Sequence, residues 1–316
     1  MKKCVLLFPL AVLLLLPSLS FGQAKVGTAG AQFLEIGVSA RAIGMGEAFL
    51  GVSDDASALY YNPGALSLLT QKEVAFTHVV YPAGINYDFA GFVLPTPSLY
   101  GTFGVAVYVL TMDNMAITTY GAPGGTGQTW TANDYAAGFS YSAGLTDHFS
   151  VGGTIKYIQQ NLDTYRATGW GVDLGTYYDT GFRNFKICME ITNFGPDMKF
   201  ATEPYPLPID FRFGTAIDAI QSGKSRLIAS VQASHPNDNL EKYNAGLEYW
   251  FNDMFALRMG KKFNYDYYNK SSFGGGMTFG AGIRLPISAY RLNLDYAYQD
   301  MGYLDAVNRF SLGFRF

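Results

Sequence analysis

The stretch Tyr290-Arg291-Leu292-Asn293-Leu294-Asp295-Tyr296-Ala297-Tyr298-Gln299 decides the fold. Successive side chains of a strand point to opposite faces. Tyr290, Leu292, Leu294, Tyr296 and Tyr298 therefore share one face, while Arg291, Asn293, Asp295 and Gln299 share the other. The closing stretch repeats the pattern, with Phe310, Leu312, Phe314 and Phe316 against Arg309, Ser311, Gly313 and Arg315. Further upstream, Phe185, Ile187, Met189 and Ile191 oppose Lys186, Cys188, Glu190 and Thr192. Such strands suit a soluble β-sandwich, and equally a wall between lipid and a polar interior.

Working outward yields about fourteen segments, each near the 9–11 residues that a tilted strand needs to cross a bilayer. They run over 72–80, 85–95, 100–112, 130–145, 149–162, 167–180, 185–195, 208–220, 225–237, 241–251, 254–266, 273–286, 290–300 and 308–316. The count is even and high, and many apolar faces end on Tyr, Phe or Trp. Connections near 146–148, 182–184, 222–224, 252–253 and 286–288 are tight. Those near 113–129, 196–207, 235–241, 265–272 and 301–307 are longer. Short turns on one side and longer loops on the other match the periplasmic and outer ends of an outer-membrane barrel. The expected fold is an all-β transmembrane antiparallel barrel over 72–316. Its phase puts both the N-terminal segment and the C-terminus on the periplasmic side.

Composition agrees. Charged residues make up 15% of the chain, against about 25% in an ordinary soluble domain. Aromatic residues reach 16% and the net charge is −3, so there is no basic footprint for nucleic acid. Lys2 and Lys3, the apolar run Val5 to Leu16 and Ser20-Phe21-Gly22 read as a signal peptide over 1–22, cleaved before Gln23. Cys4 precedes the apolar run, which does not suit a lipoprotein. Cleavage leaves Cys188 alone, so no internal disulfide holds the fold.

Residues 23–71 precede the first strand, and their core reads as helical turns broken by glycine: Ala40-Arg41-Ala42-Ile43-Gly44-Met45-Gly46-Glu47-Ala48, then Asp54-Asp55-Ala56-Ser57-Ala58-Leu59-Tyr60-Tyr61-Asn62-Pro63-Gly64-Ala65. Asp54 or Ser53 is expected to cap a turn through Leu59. Asn62 is expected to cap a second turn, with Pro63 at its first position, where no amide proton is needed. About eight strands already fill their own interior with side chains, so about fourteen enclose space for a plug.

The Ala-Arg-Ala-x-Gly-Met-Gly run, the Asp54-Asp55-Ala56-Ser57-Ala58 step and the Tyr61-Asn62-Pro63-Gly64 turn resemble the N-terminal hatch of the FadL outer-membrane transporter superfamily, in its PorV/PorQ branch. The terminal Phe316 is similar to the signal read by the barrel-assembly machinery. Proline-rich Glu203-Pro204-Tyr205-Pro206-Leu207-Pro208 is also similar to that branch. The resemblance implies an N-terminal hatch inside a barrel in the outer membrane of a Gram-negative-type bacterium, with outer-membrane lipid around it. PorV-type relatives serve type IX secretion and hold exported proteins by a C-terminal signal domain. FadL-type relatives pass fatty acids or other hydrophobic small molecules through a side opening beside a kinked third strand. Gly101 and Gly104 would permit such a kink.

Candidate hatch or gating residues are Arg41, Gly44, Gly46, Glu47, Asp54, Asp55, Asn62, Pro63 and Gly64. Lys186, Glu190, Asp210, Arg212, Arg258, Arg284, Arg291, Asp295 and Arg309, joined by Lys156, Asp173, Glu248 and Arg315, fall on the inferred inner face. Their mixed signs suit wall-to-plug ion pairs better than a selectivity filter, and the arginines of the late strands suit Glu47, Asp54 and Asp55. Gly44-Met45-Gly46 has Phe49 where a phosphate loop needs glycine, so close backbone packing explains these glycines better. His78, His148 and His235 have no partners at metal-ligand spacing, and no serine can be placed beside His78 for a lipase. Neither a cofactor nor enzymatic chemistry is expected. Tyr265, Tyr267 and Tyr268 suit either a cargo surface or an interface girdle. Asn269-Lys270-Ser271 matches a glycosylation sequon with little meaning in a bacterium.

Overall fold

A computed structural model describes residues 26–200, 202–264, 275–302 and 306–316. The expected signal peptide, the Tyr265–Tyr268 cluster and the sequon at 269–271 lie outside them. Fourteen strands close into one antiparallel barrel. They are β1 (Glu73–Tyr81), β2 (Ile85–Thr96), β3 (Gly101–Met112), β4 (Ala132–Gly144), β5 (Phe149–Leu162), β6 (Tyr165–Asp179), β7 (Lys186–Phe194), β8 (Asp210–Ser222), β9 (Ser225–Pro236), β10 (Lys242–Phe251), β11 (Phe255–Phe263), β12 (Met277–Ile287), β13 (Tyr290–Asp300) and β14 (Ala306–Arg315). Closure comes from β1 pairing with β14, in a register running from Glu73 opposite Arg315 to Val79 opposite Arg309. Every strand then has two neighbours, and no edge is left to pair with another chain.

Burial alternates along the strands as the sequence pattern does. In β1 the side chains of Glu73, Thr77 and Val79 are buried while Phe76 and Val80 are exposed. The outward face carries Phe139, Ile155, Leu174, Leu257 and Phe310, all exposed. An apolar outer band around a polar interior is the arrangement lipid selects.

Six connections on one rim are short, and the C-terminus lies with them, where the Phe316 amide donates to Lys72 O at 2.9 Å. The other rim carries the long excursions at 113–131 and 195–209, each with a small hairpin, and also two tight turns at 82–84 and 163–164. The excursion at 195–209 folds inward rather than outward: Met198 and Leu207 are buried, against Gly169 and Gly171 of β6 respectively.

β3 is not kinked. Its pairing is continuous over Gly101–Thr96 to Met112–Ile85 with β2, and over Thr102–Ser142 to Thr111–Asn133 with β4. Gly104 is there because a Cβ would stand 2.3 Å from Leu59 Cδ2 of the N-terminal segment. Register breaks occur elsewhere, at Val172/Leu174 and Asp218/Ile220. At the first of these Asn193 adopts φ 58° and its side chain donates to Pro208 O at 2.9 Å.

Candidate functional site

The N-terminal segment lies in the lumen and traverses it from rim to rim. Gly27 and Gly30 donate through their amides to Asp238 O and Pro206 O, both 3.0 Å away on the long-loop rim. Glu35 pairs with Lys242 at the same level. Asp54 lies beside Arg226 and Arg315, near the short-turn rim. The start of the segment therefore sits at the rim opposite the one expected from the strand phase. The reason is that the chain enters β1 at the short-turn rim only after crossing the whole interior.

An irregular segment enclosed by a barrel must satisfy its backbone groups locally. The wall supplies them. Gln232 Oε1 accepts from the amides of Phe49 and Leu50 at 3.3 and 3.2 Å. Ser150 and Ser142 donate to Gly64 O at 2.7 and 3.1 Å. Thr278 donates to Gly44 O at 3.3 Å, and Ser311 Oγ accepts from the Ala40 amide at 2.8 Å.

Two short helices, α1 (Ala40–Gly44) and α2 (Ala58–Tyr61), and a 3-10 turn over Pro63–Leu68 supply the local order. Asn62 Oδ1 accepts from the Gly64 amide at 3.0 Å, with Pro63 at the first turn position. Asp55, not Asp54 or Ser53, serves the start of α2: its Oδ1 accepts from the Ser57 amide at 2.9 Å and from the Ser57 hydroxyl. Asp54 instead turns back to Arg41.

Glycines on the segment meet glycines on the wall. A Cβ on Gly44 would stand 3.0 Å from Gly280 Cα, one on Gly64 2.7 Å from Gly175 O, and one on Gly260 2.0 Å from Gly46 N. Gly46 also holds φ 65°, the left-handed region. Backbone thus touches backbone across the plug-wall boundary, leaving no annular gap there. Beside these contacts runs an aromatic chain, Phe49–Tyr61–Tyr60–Tyr108–Phe89, with successive ring centroids 5.2, 4.8, 6.2 and 5.4 Å apart.

The inner charges fall into three groups. Arg41 makes two 2.8 Å bonds to Glu248, binds Asp55 at 2.8 Å and also binds Asp54. Arg258 joins Glu248 to Asp295, at 2.7 Å each. Burial works to raise the Asp54 carboxyl, but the Arg41 guanidinium overrides it and holds the group well below the usual range. Trp250 sits beneath this group, 2% exposed, with the guanidinium of Arg284 4.0 Å from its ring centre and those of Arg258 and Arg41 at 5.5 and 5.9 Å. A second group, on the wall alone, joins Asp210 to Arg212 at 2.8 Å, Arg212 to Glu190 at 3.4 Å and Lys156 to Asp173 at 2.8 Å. In the third, Lys262 binds Glu47 at 2.5 Å, and Arg309 donates to Gly37 O and Tyr81 Oη. The partners of the acidic segment residues differ from the expected late-strand arginines: Glu47 uses a lysine of β11, and Asp55 uses Arg41 of its own segment. Lys186 stacks over Tyr177 at 5.7 Å, and Arg291 reaches the short-turn rim.

His78 and Asp88 face outward on β1 and β2, with Nδ1 and Oδ1 2.7 Å apart. They sit in an apolar groove of about 720 Å³ that crosses β3, β2, β1, β14, β13 and β12. Sequence reading missed this pair because strand register alone places Asp88 opposite His78. No group of three His, Cys, Asp or Glu with metal-binding geometry occurs among the described residues.

Residues 20–236 match the family described as type IX secretion system protein PorV. The chain belongs to the PorV family. Among solved structures, the toluene transporter TbuX of Ralstonia pickettii is similar with a TM-score of 0.57 and 13% identity, covering 88% of this chain and 97% of its own. A FadL homologue of Pseudomonas aeruginosa gives 0.53 and 12%, with 86% and 97% covered. The toluene transporter TodX of Pseudomonas putida gives 0.55 and 13%, with 82% and 92% covered. At these identities the likeness establishes the fold, that of a FadL-type barrel. No curated protein matches significantly. The PorV-family chain is an outer-membrane β-barrel of a Gram-negative bacterium.

The seating of the segment can be checked covalently. Leu50 Cβ lies 2.9 Å from where a Cβ on Gly214 would be, close to the spacing a disulfide bridges after small adjustment. The pair Leu50→Cys with Gly214→Cys is expected to crosslink in intact outer membranes, read as a shifted unreduced band. No crosslink there would place residue 50 off the inner wall.

Proposed function

We propose that this PorV-family barrel is a non-enzymatic docking protein, which holds exported proteins at the outer membrane by a C-terminal signal domain in a type IX secretion-type pathway. The observation carrying this reading is the filled lumen. The N-terminal segment acts as a hatch, with Arg41, Asp54 and Asp55 as its anchor and Gly44, Gly46, Asn62, Pro63 and Gly64 as its close-packed seat. Pairing along β3 is continuous, without the break that a side opening beside that strand would leave, and two of the clefts beside the segment, toward the long-loop rim, are about 60 and 200 Å³. Drug-sized ligands occupy roughly 300–1,000 Å³. Cargo therefore meets an outer surface of the barrel, and the long-loop rim, with its hairpin from Met115–Ala116 to Thr129–Trp130, offers the larger one.

The test is to extract the protein gently from native membranes and identify what stays bound. Exported proteins sharing a C-terminal β-domain are the expected companions. Stoichiometric fatty acid or aromatic hydrocarbon inside the barrel would overturn the docking reading in favour of transport.

A further inference from the structure

Most of the inner cations described above are bound by carboxylates; Arg309 instead donates to Gly37 O and Tyr81 Oη, Lys186 stacks over Tyr177, and the short-turn rim gathers several cations in one place. There a basin of about 490 Å³ is lined by five cations, Lys224, Arg226, Arg284, Arg291 and Arg315, and by two carboxylates, Asp54 and Asp253. Arg291 and Arg315 are directly opposite one another on β13 and β14. Arg284, opposite Asn293, stands one inward step above Arg291, which pairs with Pro286. Three arginines on three adjacent strands thus share one inner face. Like charges directly opposite in a sheet repel, and the carboxylates nearby relieve this only at Arg315. Asp54 is already engaged by Arg41, and its reach to Arg226 is 3.8 Å. Arg315 is the exception, bound by Glu73 at 2.6 Å. Arg284, Arg291 and Lys224 have no carboxylate partner among the described residues. The Nε atoms of Arg226 and Arg284 are buried without a hydrogen-bond partner. A buried guanidinium N–H left unpaired carries its full desolvation cost.

We propose that this basin is a binding site for a phosphate-type oxyanion, with Arg284 and Arg291 as the principal ligands and Arg226, Arg315 and Lys224 around them. The planar guanidinium fork matches tetrahedral oxyanions in a bidentate manner. An anion between β12, β13 and β14 offsets the positive charge that Arg284 and Arg291 bring together beside Arg315. The basin opens at the rim carrying the C-terminus, so its ligand comes from the periplasmic side, either free phosphate or the phosphate of an inner-leaflet lipid headgroup.

The experiment uses the full-length mature barrel in a non-ionic detergent. Inorganic phosphate and short-chain phosphatidic acid are titrated separately by calorimetry, with chloride at matched ionic strength as reference, and thermal unfolding is followed with each. Saturable binding and a raised midpoint are expected, with affinity falling at least tenfold in Arg291→Gln and in Arg284→Gln. Saturation by phosphate alone assigns a free ion; saturation by the lipid only assigns a headgroup, and either supports the site. Both variants must keep the fast unboiled migration of a folded barrel, and Arg183→Gln, in a short turn outside the basin, serves as the charge control. No saturable binding of either probe by the folded wild type, or affinity unchanged in both variants, overturns the proposal.

Discussion

Arg41→Ala is expected to destabilise the protein by about 3–5 kcal/mol, the cost of removing one partner from a buried ionic centre. The side chain of Arg41 is 4% exposed and that of Glu248 is fully buried. Deleting the guanidinium removes both 2.8 Å bonds to Glu248, both links to Asp54 and Asp55, and one face of the cage around Trp250. Arg258 remains to hold Glu248, but it is already shared with Asp295. Of the four carboxylates in the group, Glu248 and Asp295 then share Arg258, Asp54 keeps only the 3.8 Å approach of Arg226, and Asp55 loses its cation. Arg41→Lys keeps the charge and loses the bidentate geometry, so it falls between wild type and alanine. Urea unfolding in detergent, followed by loss of the fast unboiled band, measures the series. The comparison is His235→Ala, which breaks an exposed pair with Glu241 at the long-loop rim and is expected to cost no more than about 1 kcal/mol. An Arg41→Ala midpoint equal to that of His235→Ala would show that the segment is not anchored through Arg41.

Much of this architecture is legible in the sequence because one physical constraint repeats. Lipid outside and polar groups inside force a period of two, and Tyr290–Gln299 or Phe310–Phe316 displays it without help from any neighbour. The presence of Arg258, Asp295 and Arg309 on the inner face follows from the same period. Pairing does not follow, because it depends on which residues stand level across strands. Glu248 lies opposite Arg258 only through the β10–β11 register, and Trp250 becomes the stacking floor for three arginines only once Arg41 has been folded back from the segment. Glycine is misleading for a related reason. Gly104 reads as permission for a kink, yet the ladders run unbroken through it and Leu59 is pressed against it. What an absent Cβ accommodates lies more than forty residues away. The path of the segment is hidden in the same way: helical turns at 40–44 and 58–61 reveal local order, whereas the bonds from Gly27 to Asp238 and from Arg315 to Asp54 O determine which rim each end reaches.

The largest effect on permeability is expected at Gly260. Gly246 and Gly260 are opposite one another on β10 and β11, and together they form a flat seat for Met45 and Gly46. A Cβ on Gly260 would lie 2.0 Å from Gly46 N and 2.2 Å from Met45 C, and one on Gly246 would lie 2.3 Å from Met45 O. These are backbone atoms, which cannot rotate away as a side-chain end could. Overpacking a core with flexible neighbours costs about 1–3 kcal/mol; here the barrel wall is a closed ladder, so the segment must yield instead. Gly260→Val is therefore expected to lift Met45–Gly46 from the wall, to part Glu47 from Lys262 nearby, and to open a polar passage. In planar bilayers the wild-type protein should be silent and the variant should conduct, while the Leu50–Gly214 crosslink weakens in the same background. Gly121→Ala, where a Cβ would meet nothing within 4 Å, supplies the neutral reference. Conductance that stays at the wild-type level in a folded Gly260→Val barrel would mean that the segment seals the lumen without this seat. The burden would then fall on the Gly64 contacts with Gly152 and Gly175, where the same substitution on the opposite wall repeats the test.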